Sequence, residues 1–207
     1  MRRHAIALTL LPVLACLLAS SAHAYVVGIS PGPRSVYLRV GDGAFGASDY
    51  ASGGTPQSGG AVNTVAVTVP AAALMTGADQ AMSSTSRLTS DYDGFTFCTA
   101  GQTYIGGFFR GGNGAGNATL TATVTAPLSN GADTIPFSQV RWTASGIGDG
   151  AAAQPIAANN FGNVTKNIAT FPVNSWRESC HSFFYDNDNV VAAGTYVGTI
   201  TYTLTSP

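Results

Sequence analysis

Glu178 is the only glutamate of the chain, and Asp186 and Asp188 follow it closely. Two carboxylates at a defined separation are what glycoside hydrolysis requires, one as acid and one as base or nucleophile. Acids beside turns are ordinarily solvated, and that plain reading competes with the catalytic one. His181 adjoins Cys180, the residue types of a thiol nucleophile and its base. Neighbours along a strand point to opposite faces, which separates the two. A Ser–His–Asp set on His181 has serines and aspartates to draw on, but nothing like Gly-x-Ser-x-Gly supports it: Gly146-Ile147-Gly148 lacks the nucleophile. His181 is also the sole histidine beyond residue 24, which excludes a multi-histidine metal site. The sequence therefore points to no catalytic residues and to a protein that is not an enzyme.

Binding chemistry has more to work with. Asp91-Tyr92-Asp93-Gly94 and Asp186-Asn187-Asp188-Asn189 alternate oxygen-bearing side chains in turns, and a hard cation such as Ca²⁺ takes several oxygen ligands. Neither turn carries the full Ca²⁺-loop pattern, and Asp and Asn also favour turns by bonding their own backbone. Both turns lie within several residues of a cysteine, so a Cys98–Cys180 bond would draw them closer. Trp142, Trp176 and Tyr185 are candidate ligand-stacking aromatics, with core packing as the competing role. No other cofactor is suggested. Asn117-Ala118-Thr119 and Asn163-Val164-Thr165 match a glycosylation acceptor but read as ordinary β-strand threonines.

The N-terminus sets the compartment. Arg2 and Arg3 precede an apolar run from Ala5 to Leu18, and Ala22-His23-Ala24 offers small residues for cleavage before Tyr25. Residues 1–24 thus read as a signal peptide and 25–207 as one domain. A lipoprotein reading uses Val13 to Cys16 with Cys16 acylated; Leu17 and Leu18 continue the apolar run past it and favour the later cut. The expected location is the periplasm, the cell surface or the medium. No later segment approaches the ~20 apolar residues of a membrane span.

Beyond residue 24 the chain keeps seven Lys+Arg (nine less Arg2 and Arg3) against ten Asp+Glu, a net charge of −3. No basic patch exists, which disfavours nucleic acid and anionic lipid as partners. Only 9% of residues are charged, against the ~25% usual for globular domains, so Thr, Ser, Asn and Gly must form the wet surface. Cys98 and Cys180 remain as an even pair in an exported chain, which reads as a disulfide. Closing that loop of about 80 residues would contribute about 4.5 kcal/mol by chain entropy.

The elements that carry these residues are strands. Gly194 to Leu204 alternates Tyr196, Ile200, Tyr202 and Leu204 against threonines, the period-two signature of a strand with one wet face. Val62 to Val69 and Ala118 to Thr125 repeat it, and Ser35 to Val40 places Val36, Leu38 and Val40 on one face. Phe95 to Cys98, Thr103 to Phe109 and Ile135 to Trp142 read as further strands, the last disturbed by Pro136. Ala71 to Met75 suits one helical turn. Residues 41–61 and 144–163 read as Gly-rich loops. Phe183 to Tyr185 and Thr195 to Leu204 read as a hairpin. Seven to nine short strands without a βαβ rhythm predict an all-β, antiparallel, immunoglobulin-like sandwich in a single domain with one disulfide.

Val191 to Leu204 (VAAGTYVGTITYTL) resembles the terminal strand of several exported bacterial sandwich families: spore coat protein U-like domains, chaperone–usher pilins and WxL-like domains. Asn130 to Trp142 and Trp176 to Tyr185 resemble secreted proteobacterial proteins with the same ending. The chain departs from each. Trp142 is followed by Thr143-Ala144 rather than a Trp-x-Leu signature, and Cys98 falls later than a pilin's first cysteine. The resemblance implies a fold and carries no functional residues across. A pilin would lack a strand and receive one from a neighbour; Tyr25 to Val40 is the candidate donor, interrupted by Pro31 and Pro33, and its alternating part, Val36 to Val40, reads better as the domain's own first strand. The expected function is a structural or adhesive surface protein of fimbrial type, partnered by other subunits of a surface assembly. The alternative is a secreted sandwich that binds carbohydrate or Ca²⁺.

Overall fold

The computed structural model describes residues 26–42, 62–150, 152–162 and 164–207. Residues 1–24, which the sequence reads as a signal peptide, together with Cys16, most of the 41–61 loop and Asn163, lie outside the described residues. The chain forms two antiparallel sheets packed face to face and one disulfide, the expected sandwich. No helix among the described residues is long and apolar enough to cross a membrane.

The strands in chain order begin with β1 (Val26–Gly28), β2 (Ser35–Val40), β3 (Val62–Val69), β4 (Gln80–Ala81) and β5 (Ser83–Ser84). There follow β6 (Thr103–Arg110), β7 (Ala118–Thr123), β8 (Leu128–Ser129), β9 (Thr134–Ile135) and β10 (Val140–Ser145). The series ends with β11 (Asn159–Asn160), β12 (Lys166–Phe171), β13 (Ser175–Tyr185) and β14 (Gly194–Thr205). One sheet runs β11-β10-β13-β6-β2, with β1 and β4 also on β13. The other runs β12-β7-β14-β3-β5, extended by β8 and β9.

Alternation dictates which face each strand buries. Val65, Val67 and Val69 of β3, Leu120 of β7, and Tyr196, Ile200 and Tyr202 of β14 enter the intersheet core, each at most 1% exposed. The opposite sheet meets them with Val40, Ile105, Phe109, Trp142 and Phe183. Gly198 occupies an inward position of β14 because Phe137 packs over it: a Cβ there would lie 2.9 Å from Phe137 Cζ.

Several expected elements differ. Ile135 to Trp142 is not one strand; Pro136 removes a ladder donor, and a 3₁₀ turn over Phe137–Gln139 separates β9 from β10. Phe95 to Cys98 contributes only the Thr89–Thr96 bridge. The helical turn shortens to a 3₁₀ turn over Ala71–Ala73. The 144–163 loop is crossed by β11, which pairs with β10. The expected hairpin is absent: β13 and β14 lie in different sheets, so residues 186–193 cross between layers. Within the described chain β14 is paired on both sides, with β3 over Gly194–Thr201 and with β7 over Thr201–Thr205.

Candidate functional site

The inward face of the first sheet builds the main core, and its outward face carries a second, smaller one. Along β13, Trp176, Glu178 and Cys180 point outward. They are joined by Tyr37 of β2, Tyr104 and Phe108 of β6, and Phe97 of the segment between β5 and β6. That segment folds across the sheet and is fastened by the Cys98–Cys180 disulfide, with Cα atoms 5.5 Å apart.

Glu178 is the polar centre of this cluster and is fully buried. Its Oε2 accepts hydrogen bonds from Tyr104 Oη at 2.6 Å, Ser90 Oγ at 2.8 Å and Trp176 Nε1 at 3.0 Å. Among the described residues Oε1 has no hydrogen-bond partner. Burial pushes the carboxyl above its ordinary value, and the three donors oppose that rise. Tyr104 is held in its neutral, donating form by burial and by the neighbouring carboxylate. Tyr104 reaches Glu178 by lying across Gly106, the residue opposite Glu178 in register; a Cβ at 106 would overlap the phenol. Tyr104 Oη also accepts the Asp91 amide at 3.1 Å, and Ser90 Oγ accepts the Tyr92 amide at 3.0 Å. The carboxylate therefore ties the overlying segment to the sheet.

Asp91, from the first acidic turn, is bonded by Tyr37 Oη and ion-paired with Arg87 and Arg39. Asp93 Oδ1 accepts the Phe95 amide at 2.9 Å. In the second turn Asp186 pairs with Arg141, whose guanidinium also reaches Asp79. Asn187, at φ 53°, donates to the carbonyls of Ala73 and Ala78. The disulfide does not unite the two turns. Asp186 lies eight residues beyond Glu178 on an extended strand, about 27 Å at 3.3–3.4 Å per residue. That distance also removes Glu178 with Asp186 or Asp188 from the roughly 5–9.5 Å of a glycosidase pair. Among the described residues no group of three His, Cys, Asp or Glu is placed to hold a metal ion.

No family model, curated protein or solved structure matches the chain. Function has to be read from the side chains themselves.

The three candidate stacking aromatics are packed inside. Trp142 is 2% exposed, sits 4.5 Å from Phe161 between ring centroids, and donates Nε1 to Ala157 O. Trp176 is 3% exposed beneath Tyr92, and Tyr185 is fully buried. Among the described residues the aromatics classed as exposed are Tyr92 and Phe95, at 46% and 48%. From sequence alone Tyr92 reads as part of an acidic turn and Phe95 as a strand residue. The signal for both is their place three residues apart in one Asp- and Thr-bearing stretch, Thr89 to Thr96.

His181 points to the inner face, away from Cys180. Its ring is stacked on Trp142 and its Nε2 lies 3.1 Å from Ile156 O. Burial lowers its pKa to about 4, so it is neutral at physiological pH. Ser179, on the same face, accepts the Ile156 amide at 3.3 Å. Both side chains serve to seat the 152–157 segment. At the sandwich ends, a half-open groove of about 460 Å³ is lined by Val124, Pro127, Pro136 and Phe137, and a hollow of about 260 Å³ lies beside Arg34, Phe109 and Pro207.

Proposed function

We propose that the chain is an exported, non-enzymatic structural or adhesive surface protein. The observation that carries this reading is the direction in which its polar side chains work. Glu178 and His181, the groups with the chemistry for catalysis, are fully buried and hold overlying segments in place. The solvated face of the other sheet is instead a field of uncharged hydroxyls. A disulfide-stapled, charge-poor sandwich suits an oxidising compartment of variable salt and pH. The pairing of β14 on both sides favours a self-complete sandwich over a subunit awaiting a donor strand, as does the use of β1 and β2 within the chain's own sheet.

The test is to locate and characterise the processed protein. The expectation is an oxidised species outside the cytoplasm that melts cooperatively without a chaperone or partner. A cytoplasmic protein with free thiols, or one that unfolds or polymerises when isolated, would overturn the proposal.

One observation favours the second reading, a carbohydrate- or Ca²⁺-binding sandwich. Tyr92 and Phe95 are half exposed on a segment fixed by the disulfide and by Glu178, and Asp93 lies between them. A binder must gain thermal stability as its ligand is added. An unchanged melt in millimolar Ca²⁺, with no retention on immobilised glycans, removes this reading.

A further inference from the structure

The register of the second sheet places its outward threonines in rows. Thr170, Thr119 and Thr205 stand side by side across β12, β7 and β14. Asn167, Thr121 and Thr203 form the next row. Thr123 and Thr201 form a third, continued by Thr165, whose hydroxyl lies 2.8 Å from that of Thr123. The alternate positions Ala118, Leu120 and Ala122 are buried, so the whole block faces solvent. No charged side chain among the described residues enters it: Lys166 is in register with buried Ala122, and its Nζ bonds Asn159 and Asn160.

We infer that this block adsorbs to a crystalline water surface, that is, to ice. The inference goes beyond the proposed surface role and does not depend on it. Across β7 and β14 sheet geometry repeats the hydroxyls at about 4.8 Å between strands and about 6.7 Å along them, while on β12 the bulge between Asn167 and Ala169 spaces Thr170 and Asn167 three residues apart. Those repeats are close to oxygen–oxygen repeats on a prism face of ice. Each threonine offers one hydroxyl and one methyl on a Cβ with restricted χ1. The hydroxyls are held further by their neighbours: Thr123 with Thr165, and Thr121 Oγ1 with Thr203 O at 3.3 Å.

A single hydroxyl gains almost nothing on a crystal, because bulk water offers it the same bond. Many hydroxyls at the lattice repeat gain together, since the waters they order already belong to the crystal. The competing occupants fit less well. The block has no aromatic ring for a sugar to stack on. It has no charge for an ionic polymer and no apolar centre for a protein interface. Sheet twist of about 20–25° per strand turns β12 and β3 away from the β7–β14 pair, so the flattest part of the block is the paired Thr119/Thr205, Thr121/Thr203 and Thr123/Thr201, and Thr64 and Thr68 of β3 lie beyond it.

The oxidised protein is assayed for ice-crystal shaping, thermal hysteresis and inhibition of recrystallisation. The expected result is faceted crystals and recrystallisation inhibition. Thr121→Lys, at the middle of the block, should lose most of that inhibition with its circular dichroism melt unchanged, and Thr64→Lys should keep it. Should Thr121→Lys fail to fold, Thr203→Lys makes the same test. Round crystals with ordinary coarsening in the presence of the wild-type protein would overturn the inference. So would full inhibition by folded block variants. Retention on cellulose or chitin, or concentration-dependent dimerisation, in a protein without ice activity would overturn it in favour of those occupants.

Discussion

Tyr104 Oη lies 2.6 Å from Glu178 Oε2, and the phenol can lie there because residue 106 has no side chain. Three donors converge on that one carboxylate oxygen. Replacing Glu178 by Leu leaves Ser90, Tyr104 and Trp176 with buried, unpaired donors. The expected cost is about 3 kcal/mol or more, because stranded polar groups carry their full desolvation penalty. Gly106→Ala should destabilise by about 1–3 kcal/mol through overpacking. In a Tyr104→Ala background the same change should cost much less, since the ring it displaces is gone. Urea denaturation of the two single variants and the double variant measures that coupling. Strict additivity would show that Tyr104 does not lie across Gly106.

The disulfide is the covalent part of the same fastening. Cys98 and Cys180 are 82 residues apart, and closing a loop of that size is worth about 4.5 kcal/mol by chain entropy. A Cys98→Ser/Cys180→Ser variant should therefore melt well below the wild type. The segment carrying Ser90 and Tyr92 should loosen first, because Trp176 lies directly beneath it. Tryptophan emission should shift to the red on reduction before the sheet signal in circular dichroism is lost. Simultaneous loss of both signals would mean that the segment does not open separately.

Alternation made the second sheet legible from sequence: β3, β7 and β14 each bury one face and wet the other. β13 was read only at its end, because both of its faces are covered. Trp176, Glu178 and Cys180 lie under the stapled segment, while Ser179, His181 and Phe183 face the other sheet, so no polar–apolar rhythm survives. β12 was missed because a bulge between Asn167 and Ala169 breaks the period of two. The false hairpin came from equating sequence neighbours with sheet neighbours, which fails where a connection changes layer. Of the candidate site, the disulfide followed from an even cysteine pair in a chain expected to be exported. The convergence of Tyr104 and Ser90 on Glu178 has no local signature, since those residues are distant in the chain and meet only through the register of β6 and β13.

Gly198 interrupts the most regular strand of the chain, and Phe137 fills the space it leaves. Gly198→Ala places a methyl group 2.9 Å from Phe137 Cζ and 3.2 Å from Leu128 Cγ. The expected cost is about 1–3 kcal/mol. Combining it with Phe137→Leu should recover part of that loss, although either change alone destabilises. Thermal melts of the three variants decide the matter, and no recovery in the double variant would mean that Leu128 is the true obstacle.

His181 makes the protein acid-sensitive in a definite window. In the unfolded chain it titrates near 6.5, whereas burial in the folded protein lowers its pKa to about 4. Between those values the unfolded state binds the proton and the folded state does not, so stability must fall as the pH drops from about 6.5 to 4. A shift of that size corresponds to about 3 kcal/mol. Glu178 acts with the opposite sign. Its folded pKa is raised by burial, so its contribution is fully present below its unfolded value and is lost as the pH rises through the folded one. The wild-type profile therefore combines two opposed slopes, and a His181→Gln variant separates them. Unfolding free energies measured by urea titration across this range should decline towards acid in the wild type. In His181→Gln that decline should flatten or reverse. An identical acid slope in both proteins would mean that His181 is not held neutral inside the fold.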